Sequence, residues 1–184
     1  MDTSLSDISF LAKCPFLLNH IKDIPGESED NVHRETGWCE ISSLEQDFAS
    51  EASPLAPGKR EGRGAVKCDH SVIKITKLVD RASTKLMEAC WEGRTLDEVI
   101  IECYRAGEGQ GGGNKPINYF SIELKKVVIR ELEYEVTAGD LASEDLELVY
   151  NSATYKYYQM KKDDGTALRI GAESRNVGSG NWKD

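Results

Sequence analysis

The residues best suited to chemistry are three histidines, five cysteines and a glycine-rich segment. Cys68 and His70 stand two apart. That spacing places both side chains on one face of a strand, as half of a metal site or a Cys–His nucleophile pair would require. His20 and His33 have neither a second histidine four residues away nor a cysteine at ligand spacing. Nothing else in the sequence completes either site, so the pattern favours core or surface roles and predicts neither a metal nor a cofactor.

The segment from Gly107 to Lys115 has the glycine content of a phosphate-binding loop. Such a loop needs Gly-Lys-Ser/Thr at the start of a helix, so that backbone amides and the helix dipole face the anion. Here Pro116 follows the lysine, and a strand pattern comes next. We therefore predict a flexible connection between strands. The sequence contains no GxSxG or HExxH motif. Its many carboxylates are typical of a solvated acidic surface, although a carboxylate pair for glycoside chemistry stays open.

The overall charge of the chain excludes two classes of partner. The 184 residues carry a formal net charge of −9. Nucleic-acid binding needs clustered lysine and arginine, and an anionic membrane surface attracts the same cationic residues. No segment approaches the roughly 20 apolar residues that a membrane span needs. We expect no nucleic-acid partner, no membrane insertion, and a length suited to one domain with its own core.

The cysteines and the N-terminal residues indicate the compartment. The cysteine number is odd and no CxxC pair occurs, which favours free thiols in a chain made in a reducing cytosol. Residues 8–18 are fairly apolar, but Asp2, Asp7 and Lys13 do not fit a signal peptide, and no small-x-small cleavage pattern follows. If the protein leaves the cell, we expect it to do so without an ordinary export signal.

Strand patterns dominate the chain. Segments that alternate large and polar residues, and that are rich in Val, Ile, Tyr and Thr, are typical of half-buried strands. Such segments cover residues 38–42, 71–77, 98–105, 119–124, 126–136, 146–150 and 154–160.

One helix is also indicated, with Ser83-Thr84 as the N-cap and Gly93 as the C-cap. One face of this helix is shared by Leu86, Met87, Cys90 and Trp91. Strands around a single short helix predict a mainly β fold: an antiparallel β-barrel of two packed sheets with one short flanking α-helix.

Two breaks interrupt these patterns. Residues 47–64 form a long predicted loop without a buried face, and loops of this length in a small domain are usually functional or disordered. Residues 106–115 contain five glycines and connect two strands. The final residues, 177–184, are expected to fray.

An ordered series of landmarks resembles a known family. It begins with residues 24–28 (Ile-Pro-Gly-Glu-Ser), His33 and residues 37–41 (Gly-Trp-Cys-Glu-Ile). A strand, an Asp-Arg-Ala-Ser turn and a helix follow over residues 71–90, and residues 98–107 and 119–129 complete the series. In this order the segments resemble the haemolysin-coregulated protein (Hcp) family, the tube proteins of type VI secretion. The resemblance covers residues 17–176 as a single domain, between an N-terminal extension at 1–16 and a C-terminal tail at 177–184.

The resemblance implies a structural function without enzymatic activity or a cofactor. Members of the family assemble as hexameric rings that stack into a tube, which a contractile sheath fires. The implied partners are other copies of the chain, the spike protein, sheath and baseplate components, and small effectors in the lumen. The implied localisation is the bacterial cytoplasm before assembly and secretion through the type VI system without a signal peptide. A monomeric β-barrel that binds a small ligand, or an unrecognised hydrolase, stays open as the alternative.

Two groups of residues are expected to mediate assembly. Ring closure needs a heterologous interface, and opposite charges on strand edges suit it. We expect Lys125 and Lys126, with Glu131 and Glu133, to lie at the subunit interface. By position, the long loop resembles the family's stacking loop; its predicted contact residues are Asp47, Phe48, Pro54, Leu55, Pro57, Lys59, Arg60 and Arg63.

Overall fold

The structure is a computed structural model, which describes residues 16–30, 33, 36–50, 68–105, 116–160 and 167–176. Ten strands and one helix occur in these ranges. Their bounds are β1 Phe16–Ile21, β2 Cys39–Ile41, β3 Ser43–Glu45, β4 Phe48–Ser50, β5 Cys68–His70, β6 Ile73–Leu78, α1 Ser83–Trp91, β7 Leu96–Arg105, β8 Ile117–Glu135, β9 Ser143–Met160 and β10 Ala167–Asn176. Within those ranges, no helix has the length and apolar character needed to cross a bilayer.

Eight strands form one antiparallel sheet that curls into a nearly closed barrel. The order is β2-β1-β7-β8-β9-β6-β3, and β10 pairs with β9 beside this path. The two ends of the path are consecutive in the chain, since Ser42 alone separates β2 from β3. The Ser42 amide donates to the carbonyl of Thr76 on β6 at 2.7 Å. The segment 39–45 therefore joins β1 to β6 and draws the barrel together. The mainly β, antiparallel barrel with one short helix is confirmed.

The barrel interior follows from the strand alternation. On β6, Ile73 and Ile75 are buried while Lys74 between them is exposed. They lie opposite Leu148 and Leu146 of β9, which are also buried. Burying each such side chain contributes about 1.5–3 kcal/mol, so the alternating pattern is the main source of barrel stability. The buried residues of β7, β8 and β9 belong to the same cluster.

Two predicted strand pairs are continuous strands in the structure. Residues 119–124 and 126–136 belong to β8, and residues 146–150 and 154–160 belong to β9. The expectation of separate strands was wrong because the breaks in alternation mark bends. Lys126 has a left-handed backbone (φ 53°) close to the point where β8 leaves β7, and the β8–β9 register shifts between Ile129 and Glu131.

The predicted helix exists, but two details differ. The residue before the first turn is Ala82 rather than Ser83, and its amide donates to Asp80 Oδ1 at 2.8 Å. Ser83 is buried and its hydroxyl donates to Glu144 Oε1 at 2.8 Å, so it is not the N-cap. Trp91 was expected on the apolar face, yet it is 82% exposed. Gly93 follows the helix with φ 59°, the left-handed conformation that ends helices.

Candidate assembly surfaces

A two-stranded ribbon carries the segment predicted to stack rings. β4 pairs with β5, with Phe48 opposite His70. At its base the Asp47 amide donates to Ser71 Oγ at 2.7 Å, and the Ser71 amide donates to the Asp47 carbonyl at 3.1 Å. Residues 48–50, predicted as part of a loop, thus form a strand. Asp47 and Phe48 lie in this ribbon, whereas the other predicted loop residues lie outside the described ranges: Pro54, Leu55, Pro57, Lys59, Arg60 and Arg63.

Aromatic and amide contacts fix the ribbon against β9. Phe48 is 53% exposed, and its ring centroid lies 5.1 Å from that of His70 and 5.9 Å from that of Tyr155. Beneath it, Gln46 Nε2 donates to the Tyr150 hydroxyl at 2.5 Å, and the Tyr155 hydroxyl donates to Gln46 Oε1 at 3.0 Å. Ser50 and Cys68, which flank the segment 51–67, are therefore held opposite each other at one place on the barrel.

The structure places His70, one member of the Cys68–His70 pair, in the ribbon contact. His70 is buried, and its Nδ1 lies 3.5 Å from the Tyr150 hydroxyl. In the ranges that the structure covers, no three potential ligands gather in a group able to hold a metal. The ring of His70 instead supports the ribbon through Phe48. The sequence favoured a core or surface role for His70, and the structure buries it.

Lys125 and Lys126 each pair with a carboxylate of β7 in the same chain. Lys125 lies opposite Glu98 in the β7–β8 register and forms an ion pair with it. Lys126 Nζ lies 2.6 Å from Asp97 Oδ1. The hydrogen bond that Lys126 donates to Asp97 lowers the pKa of this carboxyl group. Both lysines are exposed, so these pairs leave them accessible to a neighbouring subunit, and their assignment to the interface stays a prediction.

Glu131 and Glu133 lie on the other half of β8, away from these lysines, and line a groove of about 440 Å³. The register places Glu131 opposite Glu147 and Glu133 opposite Asp145. Glu147 bonds Lys74 and Arg130, and these hydrogen bonds lower its pKa. The rest of the lining is Ser43, Glu45, Lys74, Thr76 and Leu146. We name this feature the acidic groove.

An apolar surface lies at the end of the barrel where β8 and β9 meet. Leu78, Val79, Val136 and Leu141 are exposed by 47%, 41%, 70% and 77%. The Val79 amide donates to the carbonyl of Ala142 at 2.9 Å, which brings the two sequence regions together. Exposed aliphatic groups concentrated in one region are typical of protein–protein contacts.

Comparison with known proteins identifies the family. The family model described as "Type VI secretion system effector, Hcp" matches residues 19–157. The chain belongs to the Hcp family. The resemblance stated from the sequence is therefore confirmed, and the chain is placed in the context of type VI secretion.

One curated relative and several solved structures agree with this assignment. The protein hcp1 of Pseudomonas aeruginosa is 28% identical over 155 residues, covering 82% of this chain and 90% of its own. A type six secretion system protein matches with a TM-score of 0.74 and 22% identity, over 89% of this chain and 96% of its own. A type VI secretion system effector from Yersinia pestis matches with a TM-score of 0.64 and 18% identity, over 88% and 99%. At these identities the structures establish the fold.

Sequence reasoning missed several residues of these surfaces in the Hcp chain. Glu45, Asp145 and Glu147 belong to the acidic groove through strand register, which no local pattern reveals. The alternation in residues 131–135 indicates outward-facing carboxylates, but not the acidic residues of β9 that face them. Leu141 and Val136 lie beside a turn, where an isolated aliphatic residue gives no periodic signal.

Proposed function

We propose that the chain is a structural, non-enzymatic subunit of the type VI inner tube. In this proposal it forms hexameric rings that stack head to tail and carry small effectors in the lumen. The observation that best supports this proposal is the family match over residues 19–157. In addition, the interior of the barrel is occupied by its own side chains. Because side chains fill the barrel, we expect its function to depend on its outer surfaces.

Two surfaces support ring formation. A ring needs one patch on a subunit to meet a different patch on the next, with a rotation that closes. The apolar end at Leu78, Val79, Val136 and Leu141 supplies buried contact area. Lys125 and Lys126, with Glu131 and Glu133, supply charges of both signs for register. The segment 51–67 is proposed to join rings along the tube axis through its residues Pro54, Leu55, Pro57, Lys59, Arg60 and Arg63.

Partners and localisation follow from the same proposal. The chain contacts further copies of itself, the spike protein at the tip, and sheath and baseplate components. It resides in the bacterial cytoplasm before assembly and leaves through the type VI system. The extension at residues 1–16 and the tail at 177–184 are proposed to flank a single domain at 17–176.

The alternative of a monomeric ligand-binding barrel has less support. A small-molecule pocket is mostly apolar with a few placed polar groups. The acidic groove has the opposite composition, with five carboxylates among its nine lining residues. Tyr155 of β9 donates its hydroxyl hydrogen to Gln46 Oε1 in the ribbon contact.

Mass and imaging test the proposal. Light scattering of the purified protein should give the mass of a hexamer, and negative-stain images should show annular particles that stack. Deleting residues 50–62 should spare rings and abolish long tubes, because it removes the stacking contacts. Deletion of residues 108–113, in a different strand connection, is the control and should keep both. A clean monomer would overturn the proposal, and normal tubes from the first deletion would overturn the role of the segment.

A further inference from the structure

A polar network fastens the connection between β1 and β2 to β7. His33 Nδ1 lies 2.9 Å from Asp30 Oδ2 within the connection, and its Nε2 lies 3.0 Å from the Tyr104 hydroxyl on β7. The same hydroxyl donates to Glu102, whose Oε2 lies 3.6 Å from His33 Nε2. His33 and Tyr104 are both 7% exposed, so these bonds lie largely out of water. We name Asp30, His33, Glu102 and Tyr104 the histidine clasp.

A count of donors and acceptors places the protons of the clasp. A carboxylate only accepts hydrogen bonds, and a tyrosine hydroxyl has one proton to donate. Tyr104 gives that proton to Glu102; burial, followed by this bond, raises the pKa of Tyr104, so the hydroxyl keeps its proton. The His33 nitrogen that faces Tyr104 must then donate, and so must the nitrogen that faces Asp30. Every bond is made only when both nitrogens of the ring carry a proton.

A His33 ring with one proton leaves the clasp one hydrogen bond short. If the proton stays on Nδ1 for Asp30, Nε2 becomes an acceptor and competes with Glu102 for the single proton of Tyr104. If the proton stays on Nε2 instead, the lone pair of Nδ1 faces the Asp30 carboxylate at 2.9 Å. A buried acceptor without a donor is costly. Loss of a ring proton therefore favours separation of the connection from β7.

The other titratable groups near the clasp belong to β1 and β9. The His20 ring of β1 lies 5.4 Å from the Trp38 ring, and the opposite contact of Trp38 is with His33, edge-on at 4.6 Å. Tyr158 of β9 lies close enough to Tyr104 to contribute to its raised pKa. Among the described residues, the only ion pair of Glu102 is with His33. The charge of the His33 ring is therefore the one to which the carboxylate on β7 responds.

The connection covers an apolar residue on the outward face of β1. Leu18 is completely buried but lies outside the barrel cluster, opposite Glu102 in the β1–β7 register. Alternation places it on the same face of β1 as His20, against which Trp38 of the connection packs. Separation of the connection from β7 therefore exposes Leu18 without opening the barrel.

We propose that the histidine clasp makes the connection between β1 and β2 pH-sensitive. With two protons on the His33 ring the clasp holds the connection on β7, and the loss of one of them as the pH rises releases it and exposes Leu18. The closed form thus binds one more proton than the open form. The proposal does not depend on the tube function, because the clasp lies within one chain.

Hydrogen exchange of the parental protein between about pH 6 and about pH 8, the range around the ordinary histidine value, tests the release. After correction for intrinsic exchange rates, the opening constant of amides in residues 24–30 and 36–38 should rise with pH. The release of one proton limits this rise to about tenfold per pH unit. Amides of β8 should stay protected, because the barrel remains folded. An opening constant that does not rise overturns the proposal.

The variant Glu102→Gln separates the effect of the proton from that of packing. The glutamine amide donates to the Tyr104 oxygen, so Tyr104 gives its own proton to a neutral His33 ring and every bond is made. The opening constant should then change by less than about twofold over the same range. The matched control is Glu98→Gln, which removes a carboxylate of β7 outside the clasp and should keep the parental rise. Equal rises in the two variants overturn the proposal.

Nitrogen NMR of the histidine rings reports the protons directly. In the parental protein His33 should keep both ring protons to a higher pH than in Glu102→Gln, and His33→Ala identifies its signals. The same or a lower pH in the parental protein overturns the proposal. His20→Ala is the second control, because His20 titrates in the same range without a contact to Asp30 or Glu102. It should keep the parental rise in opening, and loss of the rise in this variant would assign the effect to His20 and overturn the proposal.

Discussion

Lys77 Nζ lies 2.7 Å from Glu144 Oε1, and both side chains are completely buried. The same nitrogen lies 2.9 Å from Asp80 Oδ1 and donates to the Leu78 carbonyl at 2.7 Å. The three donors of an ammonium group are thus each matched by an acceptor. Ser83 joins through its hydroxyl bond to Glu144. The cluster connects β6, the start of α1 and β9 at one point.

Replacing the buried lysine should strongly destabilise the chain. In Lys77→Met, Glu144 and Asp80 lose their cation, and breaking a buried pair in this way costs about 3–5 kcal/mol. The free energy of unfolding from urea titration measures the loss. The control is Lys74→Met on the same strand. Lys74 is 59% exposed and its partner Glu147 keeps the ion pair with Arg130, so this change should cost much less than Lys77→Met. Equal effects of the two substitutions would contradict the interpretation.

Alkaline pH should weaken the fold through Lys77 and Cys39. Burial alone would lower the pKa of Lys77, but hydrogen bonds to Glu144 and Asp80 outweigh it and raise that pKa. Burial, with the nearby Asp80 carboxylate, raises the pKa of Cys39 to about 12. For both groups the pKa in the folded protein lies above the pKa in the unfolded chain. The stabilising contributions of protonated Lys77 and Cys39 are therefore complete at neutral pH.

These contributions are lost as the pH rises through the unfolded values, about 8.5 for a thiol and about 10.4 for lysine, towards the folded values. Urea unfolding between about pH 7 and pH 10 should therefore give a falling free energy. The Cys39→Ala variant should show a shallower decline above the ordinary thiol pKa. A free energy that stays constant over this range, or the same slope in both proteins, would refute the assignment.

Local alternation predicts the barrel strands because one face of each strand packs in the core. Ile73 and Ile75 illustrate this, and β6 lies within two residues of its expected bounds. The same reasoning could not join the two halves of β8, since the left-handed backbone at Lys126 interrupts the alternation without ending the strand. β10 was not predicted, although Leu168, Ile170 and Ala172 alternate with polar residues or glycine, because this apolar pattern is short and is followed by four polar residues.

The candidate surfaces depend on which strands are neighbours, and for that reason they were only partly predictable. Glu131 and Glu133 could be singled out from their own strand. Their opposition to Glu147 and Asp145 needs the β8–β9 register, which a shift near Arg130 alters. The Lys77–Glu144 pair likewise joins positions far apart in sequence. Alternation places Lys77 on the inward face with Ile73 and Ile75, but it does not identify the partner on β9.

His33 should stabilise the connection between β1 and β2. Its Nδ1 lies 2.9 Å from Asp30 Oδ2, its Nε2 lies 3.0 Å from the Tyr104 hydroxyl on β7, and Trp38 packs edge-on at 4.6 Å. The substitution His33→Ala should cost about 2–3 kcal/mol, because it leaves buried polar groups without their partner. Hydrogen exchange should show lost amide protection in residues 24–30 and 36–38 before the barrel strands.

The control is His20→Ala. The half-buried His20 ring lies 5.4 Å from the Trp38 ring. Among the described residues, this ring has no hydrogen bond to a carboxylate. It should leave the protection of the β1–β2 connection close to the parental pattern. Protection lost equally in both variants would assign the effect to packing on Trp38 instead of to the histidine bonds.

Gly26 should tolerate no side chain, because two backbone segments and a thiol meet there. A Cβ at this position would lie closer than 3.0 Å to Cys39 Sγ and to the Trp38 carbonyl oxygen. The Gly26 amide donates to the Gly37 carbonyl at 2.8 Å, so the segment cannot move away freely. Gly26→Ala should therefore cost about 3 kcal/mol or more, at the upper end of overpacking effects.

Gly93→Ala is the matched control. Gly93 has a left-handed backbone but open space around it, so this substitution should cost about 1 kcal/mol. Urea unfolding of the two variants measures the difference, and a Gly26→Ala protein as stable as Gly93→Ala would show that the β1–β2 connection is not closely packed at this point.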